Sequence, residues 1–326
     1  MTPVAQGNLE FATQILATDK IDITDETFRI STDHDILALA QSIHNVGLVN
    51  LPIFVEKSGH CVQIISGFRR IEACKKLNMR SITVRLIHPA TPLINCAKLA
   101  ISENALQRPL NLIEQSRAYR LLASLASGTD HLSKLAAEAG LPDSPTIIDK
   151  VKELSQLSKT VQCGILSNKI SLSVARELAE LSAPVADFLA DLFQTLGLGF
   201  GKQREILNFI KEIAAREEIS QWQVLQNDDL LRVIAATDLD KSQKIQQIRA
   251  CLEARRFPEV SKFKKLFDQK IQSLKLGALV KLSPPANFEA SAFNLCLSFR
   301  NFKELQSHYS VLDKISQDPY LLRLLD

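Results

Sequence analysis

The chain has 326 residues, 46% of them hydrophobic, with a formal charge of +3 and a pI near 8.5. That apolar content supports real cores in two or three domains and excludes a disordered or fibrous chain. The basicity is so slight that any nucleic-acid surface must come from local clusters of lysine and arginine. Six cysteines (Cys61, Cys74, Cys96, Cys163, Cys251, Cys296) are scattered through apolar segments without a CxxC pair. This is the pattern of reduced cytoplasmic thiols, with neither a zinc site nor a disulfide frame. The N-terminal MTPVAQGNLEFATQ lacks a basic n-region and an apolar h-region, and no run approaches eighteen apolar residues. A soluble cytoplasmic protein with no membrane partner is expected.

Residues 1–19 carry little pattern and read as a flexible arm. The alternating IDI and FRI pieces between Lys20 and Ile30 predict a strand and its connection. Ile36, Leu37, Leu39, Ala40 and Ile43 then mark an amphipathic helix ended by Gly47. LVNLPIFVEKSGHCVQIIS predicts two strands joined by a tight turn at Lys57–Ser58–Gly59. At Gly67 the period changes from strand to helix, with Ile71, Cys74 and Leu77 at helical spacing, and Ser81–Ile87 reads as a further strand. Residues 20–90 are thus an α+β domain. Arg69 and Arg70 fall in the first turn of the helix after Gly67, where cations oppose the helix dipole unless an anion is held there. Phosphate is the natural candidate, and a solvated arginine pair after an ordinary turn is the plain alternative.

Beyond Pro92 the pattern is helical, giving a helical domain over 91–220. LINCAKLAISENALQR places Glu103 and Asn104 side by side and ends near Arg108; a second helix runs from about Leu112 to Ser124. The two oxygens of Glu103 and Asn104 suit a magnesium ion that also keeps phosphate oxygens and water, or simply an exposed polar helix end. Residues 132–154 have the rhythm of a helix-turn-helix with its turn at Gly140, or of a plain helical hairpin. The second helix offers Ser144, Thr146, Lys150 and Lys152 to DNA, a face poor in the usual base-reading residues. GLGFGKQ lacks the spacing and the following Ser or Thr of a P-loop and reads as a glycine helix cap. Residues 221–257 read as a polar linker and a helix stopped by Pro258. Residues 258–326 read as a small helix-strand-strand-helix unit around a Pro-rich turn. Leu295, Leu297 and Phe299 alternate on one strand, while Phe263, Leu266, Phe267 and Leu274 recur on the helix. Such a unit has little core of its own and gains by pairing with a second copy.

Three segments carry a resemblance. LALAQSIHNVGLVNLPIFV, IISGFRRIEACKKL and ISENALQRPLNLIEQSRAYRLL resemble, in order, the boxes of the ParB family of chromosome and plasmid partition proteins, whose N-terminal domain belongs to the ParB/sulfiredoxin superfamily. The resemblance is weaker across the helix-turn-helix and architectural at the C-terminal unit, which is similar to the family's dimerisation domain. It implies a nucleoid-associated, homodimeric DNA-binding protein whose N-terminal domain binds CTP with Mg2+ and which acts beside a partition ATPase. On matching positions, Gly67, Phe68, Arg69, Arg70, Asn104 and Arg108 would contact nucleotide, Glu103 and Asn104 would hold the magnesium ion, and Glu103 would serve a weak CTPase activity. Phe68 stands where the family has an acidic residue and Leu51 is an extra residue before Pro52, departures that weigh on hydrolysis more than on binding. A nuclease or phosphotransferase of the same superfamily, and a nucleotide-independent DNA-binding regulator, are the alternative readings.

Overall fold

The computed structural model describes residues 9–33, 35–57, 62–277, 279–284 and 292–319. The chain divides into two compact units, Met1–Gln203 and Arg204–Asp326.

The first unit opens with strand β1 (Phe11–Ala17), followed by helix α1 (Leu37–Val46), strands β2 (Ile53–Glu56) and β3 (Val62–Ser66), helix α2 (Phe68–Lys76) and strand β4 (Ser81–Ile87). The sheet order is β1-β4-β2-β3: β1 is antiparallel to β4, β4 parallel to β2, and β2 antiparallel to β3. Phe54, Ile64 and Ile65 are fully buried, which is why β2 and β3 read as apolar runs. The turn expected at residues 57–59 lies partly outside the described residues.

Two expectations are corrected in this domain. Part of the supposed arm, Phe11–Ala17, is an edge strand paired residue for residue with β4, from Phe11 opposite Ile87 to Ala17 opposite Ser81. Its side chains are largely exposed, so backbone pairing holds it and leaves no apolar signature. Lys20–Ile30 is not a strand. Asp22 and Asp25 each accept from the backbone N–H of the threonine two residues on, Thr24 at 2.8 Å and Thr27 at 3.2 Å, and these Asx turns divert the chain.

The helices α3 (Leu93–Gln107), α4 (Leu112–Ala123), α5 (Thr129–Glu138), α6 (Pro145–Val151), α7 (Lys159–Leu166), α8 (Leu172–Ala179) and α9 (Ala183–Leu196) complete this unit. α3 lies against β3, and α4 packs on α3, α5, α6 and α7. Gly197, with φ of 67°, caps α9 before α10 (Phe200–Glu217) begins, as the glycine-cap reading required.

The second unit holds α11 (Gln221–Leu225), α12 (Asp228–Ala235), α13 (Lys241–Arg256), α14 (Pro258–Leu274), β5 (Val280–Ser283), β6 (Asn294–Leu297) and α15 (Phe302–Ser316). The linker expected from Gln221 is corrected to two short helices. A Ser220–Gln223 capping box starts α11 and Asn227 caps α12, while Val224, Leu225 and Leu230 are buried. β5 and β6 pair antiparallel, and Phe267, Leu276, Val280, Leu282 and Ile315 form a small core to which Leu274 and Leu297 add. Phe263, Leu266 and Phe299 stay about half exposed, so the apolar residues of this unit serve two faces. The Pro-rich turn lies largely outside the described residues.

Candidate nucleotide cleft and DNA-facing helices

β3 ends at Ser66, and Gly67 turns the chain with φ of 98° and ψ of 20°. A Cβ at this position would lie 2.9 Å from Pro52 Cβ and 3.0 Å from Pro52 Cα, so glycine is required by backbone hand and by space. Gly67 O accepts from Ile71 N at 3.0 Å, and α2 starts at once with no acidic residue in its first turn.

The side chains that follow diverge. Phe68 turns into the core with the Arg29 guanidinium 5.6 Å from its ring centroid. Arg69 reaches Asp33 Oδ2 at 2.8 Å and donates to Asp35 O at 2.6 Å. Arg70 donates to Asn50 O at 3.0 Å and, across to α3, to Glu103 Oε1 at 2.7 Å. Asn104 donates from its amide nitrogen to Ala100 O at 2.8 Å, a bond in which its amide oxygen takes no part. Arg108 holds Glu114 with two bonds, of 2.8 and 2.7 Å.

Gly67, Phe68, Arg69, Arg70, Asn104 and Arg108 all line one cleft of about 220 Å³, closed by Phe28–Ser31, Leu39, Asn50, Ile65, Ser66 and Gln107. Its electrostatics follow from one arrangement. Four guanidinium groups line the cleft (Arg29, Arg69, Arg70, Arg108) and no carboxylate does. Each is braced by a carboxylate outside the lining: Glu72 at 2.5 Å from Arg29, Asp33 on Arg69, Glu103 on Arg70 and Glu114 on Arg108. Braced arginines around a small cavity are an arrangement that suits an anion. Two buried polar atoms next to it, Arg69 Nε and Glu103 Oε2, lack hydrogen-bond partners. An orphan carboxylate oxygen beside a cationic cleft fits a magnesium ion that takes few protein oxygens and completes its shell with phosphate and water.

Sequence reasoning missed Arg29, Ser31, Asn50 and Gln107. Arg29 had a signal, a charged residue between Phe28 and Ile30, both of which are buried. It missed Glu114 as well. This carboxylate is fully buried and accepts from Arg108, Thr32 N at 3.0 Å and Asn111 N at 3.1 Å. Burial pushes its pKa up, but the Arg108 guanidinium and the two backbone N–H groups prevail and hold it below the ordinary value of 4.5. The legible sign was Asn111-x-x-Glu114, a capping box that the structure closes.

The expected helix-turn-helix comprises α5, a turn at Gly140 with φ of 81°, and α6. Ile148 and Val151 face inward, whereas Ile147 is 42% exposed. The buried Tyr119 donates from its hydroxyl to Pro142 O at 2.8 Å, and Ser116 Oγ donates to Lys152 O at 2.7 Å, tying the turn before α6 and the C-cap of α6 to α4. Thr146 and Lys150 are exposed, Ser144 precedes α6 without capping it through its side chain, and Lys152 pairs with Asp149 at 3.3 Å. The cysteines divide: Cys74 and Cys96 are core thiols, while Cys163 and Cys296 are exposed. Among the described residues no helix is long and apolar enough to cross a membrane.

A mixed sheet ending in a glycine-led Arg-Arg turn, followed by packed helices, makes the first unit an α+β domain joined to a helical module. Residues 8–105 match the family described as the ParB N-terminal domain. Over 150 residues the chain is 35% identical to a nucleoid occlusion protein of Lysinibacillus sphaericus, covering 46% of this chain and 48% of that one. It is 28% identical over 225 residues to a nucleoid occlusion protein of Listeria monocytogenes, covering 66% and 76%. With a probable chromosome-partitioning protein ParB of Chlamydia pneumoniae it shares 29% over 161 residues, covering 48% and 54%. The chain thus spans about half the length of the first and third of these relatives.

Proposed function

We propose that this chain is a ParB-like DNA-binding protein whose N-terminal domain binds CTP with magnesium and which acts in chromosome or plasmid partition or in nucleoid occlusion. The observation that carries this reading is the convergence of three distant sequence boxes on one cleft. Leu39 and Asn50 from the first box, Gly67–Arg70 from the turn, and Asn104 of α3 with Arg108 just past its end meet there, with four braced guanidiniums and no carboxylate in the lining. A triphosphate supplies the anion such a cleft suits, and Glu103, with Asn104 beside it, would hold the ion. Magnesium, when bound, would neutralise phosphate charge. The chain's own part is to fix the phosphates with Arg69 and Arg70, while the 28–31 segment closes another wall of the cleft. The relatives' names, nucleoid occlusion and chromosome partitioning, agree with a DNA-directed role.

Calorimetry of the full chain with CTP, ATP, GTP and UTP in magnesium tests the cleft. CTP is expected to bind most tightly, and Arg70→Ala to weaken it by about tenfold or more, since a charge-assisted hydrogen bond is worth roughly 1.5–3 kcal/mol. Absence of heat with every triphosphate, using folded protein, removes the nucleotide reading.

The exposed Phe263, Leu266 and Phe299 support homodimerisation through the C-terminal unit, whose own core is only a few residues wide. Leu266→Glu combined with Phe299→Glu touches exposed positions and should leave folding intact while converting the dimer to monomer in light scattering. An unchanged mass would place the pairing surface elsewhere.

A further inference from the structure

α6 presents its outer face in a fixed pose, because Tyr119 ties down the turn before it, Ser116 holds its C-cap, and Ile148 and Val151 anchor it from below. Thr146, Ile147 and Lys150 share that outer face by their three- and four-residue spacing. Asp149, also exposed, is partnered by Lys152 at 3.3 Å. The face therefore carries one uncommitted cation and two aliphatic groups, the γ-methyl of Thr146 and the 42% exposed side chain of Ile147. It has none of the forked donors that read guanine or adenine edges. In the major groove, the one base-specific feature that an aliphatic side chain recognises is the thymine 5-methyl group.

We infer that α6 reads thymine methyl groups through Thr146 and Ile147, with Lys150 on the phosphate backbone. The inference rests on the DNA-binding reading above and gives that reading its chemistry. Specificity comes from excluding water between methyl groups, so the preferred sites are rich in thymine. The apolar surface of Ile147, unfavourable in the free protein, is covered only when a methyl group meets it.

The test compares binding of the full chain to alternating poly(dA-dT) and alternating poly(dA-dU) duplexes, which differ by the 5-methyl group. The expected preference for the thymine polymer is about three- to tenfold, the scale of one or two buried methyl groups. Ile147→Ser should abolish it. Thr146→Val, which keeps a methyl group, should retain it, whereas Thr146→Ser should reduce it. Lys150→Ala should weaken binding to both polymers alike and flatten the salt dependence. Equal affinity for the two polymers overturns thymine reading and leaves DNA binding standing. A preference that survives in both Ile147→Ser and Thr146→Ser overturns the assignment to these residues, and failure to bind either polymer overturns the inference together with the DNA reading.

Discussion

Replacing Glu114 with alanine is expected to destabilise the first unit by about 2–4 kcal/mol, mainly the cost of leaving its two backbone donors unsatisfied, because the Arg108 side chain is half exposed and can be solvated. Glu114 is fully buried, and its two oxygens take the fork of Arg108 together with the backbone N–H groups of Thr32 and Asn111. The alanine variant would leave two backbone donors unsatisfied and a guanidinium without its carboxylate. Glu114 also joins three pieces of chain, the segment after the Asx turns, the end of α3 and the start of α4, so its loss loosens the cleft wall that carries Arg108. The pH dependence follows from the same contacts. Because the folded pKa lies below the ordinary 4.5, the stabilisation is fully present above about pH 4.5 and is lost as pH falls through the folded value. Glu114→Gln should lose most of the stabilisation that the Glu114 carboxylate contributes at pH 7 and show a shallower acid limb than the wild type. Denaturant titrations at pH 7 and pH 4 check both points. A variant as stable as the parent at pH 7 would show that Arg108 and the two backbone donors find other partners.

The elements legible in the sequence were those whose side chains report burial. The apolar runs of β2 and β3, the helical period after Gly67 and the helices from Leu93 onward all bury a face, and periodicity records burial. β1 was illegible because an edge strand with exposed side chains is held by backbone pairing to β4. The 21–30 segment misled because Ile21, Phe28 and Ile30 are buried from a loop fixed by Asx turns, and alternation without a ladder resembles a strand. α11 and α12 were missed because each is short and set among polar residues, although Ser220 and Asn227 cap them and Leu230, Leu231, Val233 and Ile234 give α12 an apolar stripe. In the cleft, the residues contributed by α2 and α3 were readable as short motifs. The rest came from loops, Arg29 and Asn50 among them, placed by tertiary packing that no local spacing encodes.

Gly67→Ala is expected to destabilise the N-terminal domain by about 2–5 kcal/mol and to weaken CTP binding at least as much as Arg70→Ala does. Two separate costs contribute. A non-glycine residue in the left-handed region costs about 1–2 kcal/mol, and a methyl group forced into a filled space costs about 1–3 kcal/mol. The second applies because the added Cβ would meet Pro52 Cβ at 2.9 Å and Pro52 Cα at 3.0 Å, one of them backbone, with Arg70 Nε at 3.3 Å. Relief requires the segment before β2 to move away from the turn. That segment supplies the Asn50 carbonyl that holds Arg70, so the strain passes into the phosphate-binding side chain. The costs separate by comparison with Gly67→Asn, since asparagine tolerates the left-handed region but still carries a Cβ. If contact with Pro52 dominates, Asn and Ala variants will melt alike; if backbone hand dominates, Asn will recover most of the loss. A Gly67→Ala protein within about 0.5 kcal/mol of the parent, a change ordinary for surface substitutions, and with unaltered nucleotide affinity would mean that the turn tolerates a side chain and that its closeness to Pro52 does not set the pose of Arg70.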